Sequence, residues 1–193
     1  MRSVQTIRRL LLLGAVTCAL AAGSVPGEAQ SRANHRTEAE DLRRFADFVE
    51  WPQSTNGGNK GTGTINFCVL GKDPFGASLD EFILGHPVGG RMPTLVRGKR
   101  FEDLGSCDVL FVSSSETKFQ SKILNRLNRS PVLTVGETIG FAASGGIIQF
   151  VPEGDRVGFL INVDAAGRTG LKLRAELLAL AHVVHDNPAK RGG

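Results

Sequence analysis

The chain has no tyrosine, one tryptophan and three cysteines among its 193 residues, and only 6% of it is aromatic. Three cysteines are too few for a disulfide-dense miniprotein, and a chain of this length can bury a core without such staples. No apolar run reaches the roughly 20 residues that cross a bilayer, which excludes a polytopic membrane protein. Neither a glycine-every-third-residue period nor a sustained heptad is present, which excludes collagen and a coiled coil. With 41% hydrophobic residues the chain is too apolar to be wholly disordered. Several signatures of chemistry are also missing. There is no Cys-x-x-Cys and no Gly-x-Ser-x-Gly, and Gly71-Lys72 is followed by Asp73 where a phosphate loop needs Ser or Thr. The only local basic group is Arg97, Lys99 and Arg100, and the net charge is +4, so nucleic acid is not an expected partner.

The first thirty residues have the layout of an export leader. Arg2, Arg8 and Arg9 precede an uncharged apolar run from Leu10 to Ala22. Two small-x-small patterns follow or end it, Ala19-Leu20-Ala21 and Gly27-Glu28-Ala29. This reads as a cleavable bacterial secretory signal peptide over residues 1–30, with a short membrane anchor as the alternative. Cys18 does not make a lipidation site, because Thr17 and Ala15 stand where a small residue and Leu are wanted. Residues 31–190 are then one domain, destined for the periplasm, with a net charge of about +2 once the leader is removed.

Two cysteines remain in that domain, Cys68 and Cys107. An even count in an oxidising compartment reads as one disulfide; free thiols and a reactive site are the alternatives. In the chain-entropy picture, closing this loop is worth roughly 4 kcal/mol.

Hydrophobic periodicity predicts a helix from Thr37 to Trp51, with Ala39, Leu42, Phe45, Ala46, Phe48 and Val49 on one side and Pro52 as its stop. Residues 31–36 read as a loose start and 53–63 as a flexible loop. Apolar, β-prone runs at 64–70, 92–96, 109–112 and 132–135 alternate with helical patterns at 77–84 and 118–127. That alternation predicts parallel strands joined by right-handed crossovers. Runs at 147–151 and 157–163, separated by Pro152-Glu153-Gly154-Asp155, predict an antiparallel hairpin, and 175–184 reads as a last helix with Leu177, Leu178, Leu180, Ala181 and Val184 on its apolar face. The expected fold is α/β: one domain with a mixed, mostly parallel sheet flanked by helices, closing on a hairpin and a helix.

Ordered segments along the chain are Phe45-Ala46-Asp47-Phe48-Val49-Glu50-Trp51-Pro52, Cys68 through Gly76, Cys107-Asp108-Val109-Leu110-Phe111-Val112, Val132 through Gly136, Gly140-Phe141, Gly145 through Phe150, Ile161 through Ala166, and Gly170-Leu171-Lys172-Leu173. In order and spacing, between about residues 37 and 184, they resemble the YfiR family of exported bacterial proteins. The resemblance implies a periplasmic α/β domain that represses or modulates a membrane-bound signalling enzyme through that enzyme's periplasmic sensor domain. The enzyme it implies is a diguanylate cyclase or a sensor histidine kinase. It also implies relief of repression by an OmpA-like outer-membrane lipoprotein, assembly as a homodimer, and a disulfide between Cys68 and Cys107. Two departures stand out. Ala142 and Gln149 lie where some members carry a second cysteine pair, and the first helix is unusually charged at Glu40, Asp41, Arg43 and Arg44.

No catalytic constellation is legible, so the chain reads as a binding protein and not an enzyme, with no cofactor and no metal site expected. None of His35, His86, His182 and His185 neighbours a nucleophile in sequence, and a metal shared by His182 and His185 lacks a third ligand. Ser113 to Ser115 reads as a strand-to-helix turn, and Asn162 with Asp164 as a cap. Trp51 is either a core anchor or an aromatic plug in a partner or dimer interface. Lys172 and Arg174, alternating with Leu171 and Leu173, form an exposed basic pair that is either simply solvated or set against an acidic partner surface. Trp51, Lys172 and Arg174 are therefore the candidate partner-binding residues. The alternative function is a periplasmic small-ligand binder or sensor, its pocket shaped by glycine-rich turns at strand ends.

Overall fold

A computed structural model describes residues 26–52 and 63–186. Most of the expected leader, the loop at 53–62 and the tail beyond Asp186 lie outside the described residues. The elements, in order, are α1 (Pro26–Asp47), β1 (Val49–Glu50), β2 (Thr64–Leu70), α2 (Ala77–Ile83), β3 (Met92–Gly98), β4 (Val109–Val112), α3 (Gln120–Leu127), β5 (Leu133–Gly136), β6 (Ile148–Glu153), β7 (Arg156–Asn162), α4 (Val163–Thr169), β8 (Lys172–Leu173), α5 (Ala175–Ala179) and β9 (His182–Val184). Short 3-10 turns at Phe101–Asp103, Ser114–Phe119 and Ala142–Ser144 lead out of strands or into helices.

Seven strands form one sheet in the order β3-β2-β4-β5-β6-β7-β9. The pairs from β3 to β6 are parallel, β6–β7 is an antiparallel hairpin, and β9 runs parallel to β7. The mostly parallel α/β sheet and the hairpin are as the sequence predicts. Along β2, Ile65, Phe67 and Val69 enter one core with Val109 and Phe111 of β4, while Cys68 and Leu70 enter another with Leu110 and Val112. Every residue of β4 is therefore buried, which is why its sequence is uninterruptedly apolar. The first core is covered by Ala39, Leu42, Phe45 and Ala46 of α1 and by Leu79 and Ile83 of α2. Ile123, Leu124 and Leu127 of α3 cover the second.

The first helix differs at both ends from the expectation of 37–51. It begins at Pro26, so the residues read as a loose start are helical. Thr37 is not a cap; its hydroxyl donates to the Ala33 carbonyl one turn back, at 3.2 Å. Long-range ties hold this first half: Arg36 meets Glu81 of α2 with both terminal nitrogens, at 3.0 and 3.1 Å, and Gln30 reaches the Asp155 carbonyl in the β6–β7 turn. At the other end the chain leaves the helix after Asp47, and Val49–Glu50 pair antiparallel with Leu173 and Lys172 of β8.

The last helix is also shorter than 175–184. Only Ala175–Ala179 is helical, and His182–Val184 joins the sheet edge beside Leu160–Asn162. An open edge on β7 offers backbone partners that a continuing helix would leave unpaired. Between β7 and β8, the cap read at Asn162 and Asp164 starts a further helix, α4, which was not expected. The fully buried Asn162 accepts from the Ala165 N–H at 2.9 Å, and Gly170 ends the helix at φ 75°.

Two predictions follow from these packing assignments. Leu177 is 1% exposed whereas Leu180 is 72% exposed. Leu177→Ala should cost about 2–5 kcal/mol in urea unfolding and Leu180→Ala less than about 0.5 kcal/mol. Equal costs would restore a continuous amphipathic helix. At the sheet edge, Arg97 bridges Asp73 and Asp80, both at 2.6 Å, and its guanidinium holds the Asp80 carboxyl below the usual range. A depressed carboxylate stabilises the fold above its unfolded pKa of about 3.9, and that contribution is lost as pH falls through the folded value. The stability difference between the native chain and Arg97→Met should therefore be fully present at neutral pH and shrink towards about pH 2.5. A pH-independent difference would contradict this.

Candidate functional site

Cys68 and Cys107 form a disulfide with a Cα separation of 5.9 Å. Cys68 is opposite Leu110 in the β2–β4 pairing, so Cys107 lies three residues before that point. The approach segment to β4 folds back to make up the offset. The Asn66 N–H donates to Asp108 Oδ2 at 2.8 Å, and the Asp108 N–H donates to the Asn66 carbonyl at 2.9 Å. The disulfide thus pins the entry of β4 to the middle of β2.

The same segment organises the surroundings of Trp51. Arg91, in the turn before β3, places its guanidinium 4.9 Å from the centroid of the Trp51 ring and its Nη1 3.4 Å from Asp108 Oδ1. Trp51 is half-buried, and its indole Nε1 is buried with no hydrogen-bond acceptor among the described residues. Beside it opens a cleft of about 430 Å³ at the amino ends of β4 and β5, lined by Trp51, Arg91, Cys107, Pro131 and Val132 among others. The indole is therefore both a core contact and a wall of an open cleft, so the two readings of Trp51 are not exclusive.

Lys172 and Arg174 lie next to this position. Lys172 is opposite Glu50 in the β1–β8 pair, and the Arg174 N–H donates to the Phe48 carbonyl at 3.0 Å. Both side chains are exposed while Leu171 is buried and Leu173 half-buried. Arg174 stands 3.8 Å from Glu50, the residue before Trp51. The short β1–β8 ribbon thus gathers Trp51, Lys172 and Arg174, which are over a hundred positions apart in sequence, at one edge of the domain. Arg91 and Asp108 complete this region and were not legible beforehand. Arg91 follows Gly89-Gly90, a turn signal with no chemistry attached.

A second cleft, of about 250 Å³, lies between the β3–β4 connection and α3 and shares Phe101 with the first. Phe101, Phe119, Lys99 and Lys122 line it, and Arg126 stacks 4.5 Å above Phe101 while donating to Glu102 at 3.0 Å. Of the basic group noted in the sequence, Arg97 and Arg100 are committed to Asp73, Asp80 and Asp103, leaving Lys99 at the cleft.

Among the described residues, the histidine hydrogen bonds go to carboxylates: His182 to Glu153 at 3.0 Å and His185 to Asp164 at 3.1 Å. These two rings reach different acids and are not on a common helix. Ser113 serves as a cap, accepting from the Ser115 N–H at 3.3 Å. The Ala142 N–H donates to the Gln149 side-chain oxygen at 3.1 Å, inside the core.

The YfiR/HmsC-like family model matches residues 35–182, well over half of the chain. The chain belongs to the YfiR/HmsC-like family. The matched segment runs from the middle of α1 to the first residue of β9, so it takes in both cores, the disulfide and the Trp51 edge. At the level of the family, membership supports a periplasmic regulator of diguanylate cyclase signalling. No helix among the described residues is long and apolar enough to cross a membrane.

The disulfide yields a direct test. The oxidised protein should be about 2–4 kcal/mol more stable to urea than the Cys68→Ala/Cys107→Ala variant, and denatured, unreduced protein should show neither thiol reactive. Labelling of both cysteines before reduction would contradict the pairing.

Proposed function

We propose that this YfiR/HmsC-like protein is a periplasmic regulatory binding protein that represses or modulates a membrane-bound diguanylate cyclase or sensor histidine kinase by contacting its periplasmic sensor domain. The observation that carries the reading is the Trp51 edge: an indole stacked on Arg91, lining an open cleft, with a buried N–H that has no acceptor among the described residues. A buried donor without a partner costs free energy, which an incoming carbonyl or carboxylate recovers on binding. Tryptophan and arginine anchors at a cleft are the residue types that carry most interface energy. Lys172 and Arg174 extend the edge with positive charge and favour an acidic partner surface. In this account the protein acts by binding and turns over no substrate. It is exported by the leader at residues 1–30, works as a homodimer, and is titrated away from its target by an OmpA-like outer-membrane lipoprotein.

Deleting the gene should raise cyclic-di-GMP or change the kinase output. Wild-type protein should restore the original level, while Trp51→Ala and Lys172→Glu/Arg174→Glu, exported at equal amounts, should not. An unchanged output on deletion, in a strain that keeps the neighbouring signalling gene, would contradict the proposal.

The cleft bounded by Phe101, Phe119, Lys99 and Lys122 favours a second reading, in which a small anionic or aromatic ligand binds the same protein. The two are compatible, because a ligand with unequal affinity for two states shifts a partner equilibrium. A thermal-shift screen in which no such compound raises the melting temperature, with Lys122→Glu as the control, would remove this second reading.

A further inference from the structure

The helix that begins upstream of its expected start brings together residues that the sequence leaves unconnected. His35 and Glu38, three apart, share one face of α1. Glu137 is the first residue after β5, at its carboxyl end. The ligand-type atoms of all three lie within 4.8 Å of one another. Glu38 is only 8% exposed, and its Oε2 is buried with no hydrogen-bond partner among the described residues. Glu137 accepts from the Ser114 N–H through Oε1 at 2.7 Å, which orients the carboxylate and leaves its other oxygen available. Glu38 and Glu137 line a cleft of about 300 Å³ with Asn34, Ser114 and Phe150.

This arrangement is expensive as it stands. The charges acting on Glu38 are the like charges of Glu137 and Asp41, and burial pushes its carboxyl up to about 8. A buried carboxylate is ordinarily paired with a cation or coordinated to a metal. The arginines of α1 do not supply the cation: Arg32 is directed at Glu28, Arg36 at Glu81, Arg43 at Asp47 and Arg44 at Glu40.

We propose that His35, Glu38 and Glu137 form a binding site for one divalent transition-metal ion of the zinc class, with its remaining coordination positions open to the cleft. An imidazole with two carboxylates selects zinc-like ions over magnesium and calcium, which prefer all-oxygen shells. A tetrahedral zinc ion with bonds near 2.1 Å holds its ligands about 3.4 Å apart, so rotation of the side chains suffices to close the set. Three protein ligands leave at least one position for water or for a group from a bound partner. The ion would tie α1 to the carboxyl end of β5, a junction remote in the fold from the Trp51 edge.

The test uses the mature chain, free of any affinity tag and stripped of metal with EDTA. Calorimetric titration with zinc chloride should give one equivalent bound, with a rise in melting temperature on saturation. His35→Ala and Glu38→Gln should each weaken zinc binding by about tenfold or more. Glu38→Gln keeps the size and polarity of the protonated carboxyl that burial favours, so its metal-free form should melt close to wild type, which separates loss of the site from loss of the fold. Absence of stoichiometric zinc binding would overturn the assignment. So would zinc affinity unchanged in both variants, or magnesium or calcium binding as tightly as zinc.

Discussion

The whole molecule is organised by a parallel sheet buried on both faces. In β2 and β4 successive residues alternate between two cores, so neither face can be left to solvent. Burying that much apolar surface is the main favourable term in folding, at about 25 cal/mol per Å². It also dictates where helices must go: α1 and α2 on one side, α3 on the other. With both faces sealed, the edges and strand ends are what remain for recognition. The Trp51 cleft lies at the amino ends of β4 and β5, and the His35, Glu38 and Glu137 cluster at the carboxyl end of β5.

Smaller features serve the same constraint. The ring of Phe141, fully buried, fills the space over Gly136 and Gly146, where any Cβ would overlap it. This explains why glycines and a phenylalanine recur together in that stretch: the turn must pass over the end of β5 closely enough to begin β6 beside it. Asn162 works alongside, donating to the Ala142 carbonyl at 2.7 Å while it caps α4. The disulfide ties the same sheet near the amino end of β4, beside Asp108, which meets Arg91 at the Trp51 edge.

Much of the fold was legible in the sequence because buried parallel strands announce themselves as short apolar runs, and 64–70, 109–112 and 132–135 are such runs, the last found as a strand at Leu133–Gly136. The elements that were misread are those decided by distant partners. His182-Val183-Val184 continues a helical pattern locally, yet the open edge of β7 captures it as a strand. Residues 26–36 carry little apolar periodicity, and their helix is held by Glu81 and the Asp155 carbonyl, far away in sequence. The candidate site was legible in the same uneven way. Trp51, Lys172 and Arg174 stand out by residue type, but only the β1–β8 pairing shows that they are neighbours. Arg91, His35 and Glu38 gain their meaning from tertiary contacts alone.

A domain of this design suits regulation by contact: a sheet buried on both faces presents a fixed edge, and family membership supports, at family level, a regulator of diguanylate cyclase signalling. The most direct measurement is the affinity of the purified mature protein for the purified periplasmic domain of the proposed membrane cyclase or kinase partner, for the native chain and for Trp51→Ala. The account predicts saturable one-to-one binding that is lost or weakened at least tenfold by Trp51→Ala in a variant that still folds. Equal affinity of the two proteins would remove Trp51 from the interface. No binding by the native chain would contradict the account at its centre.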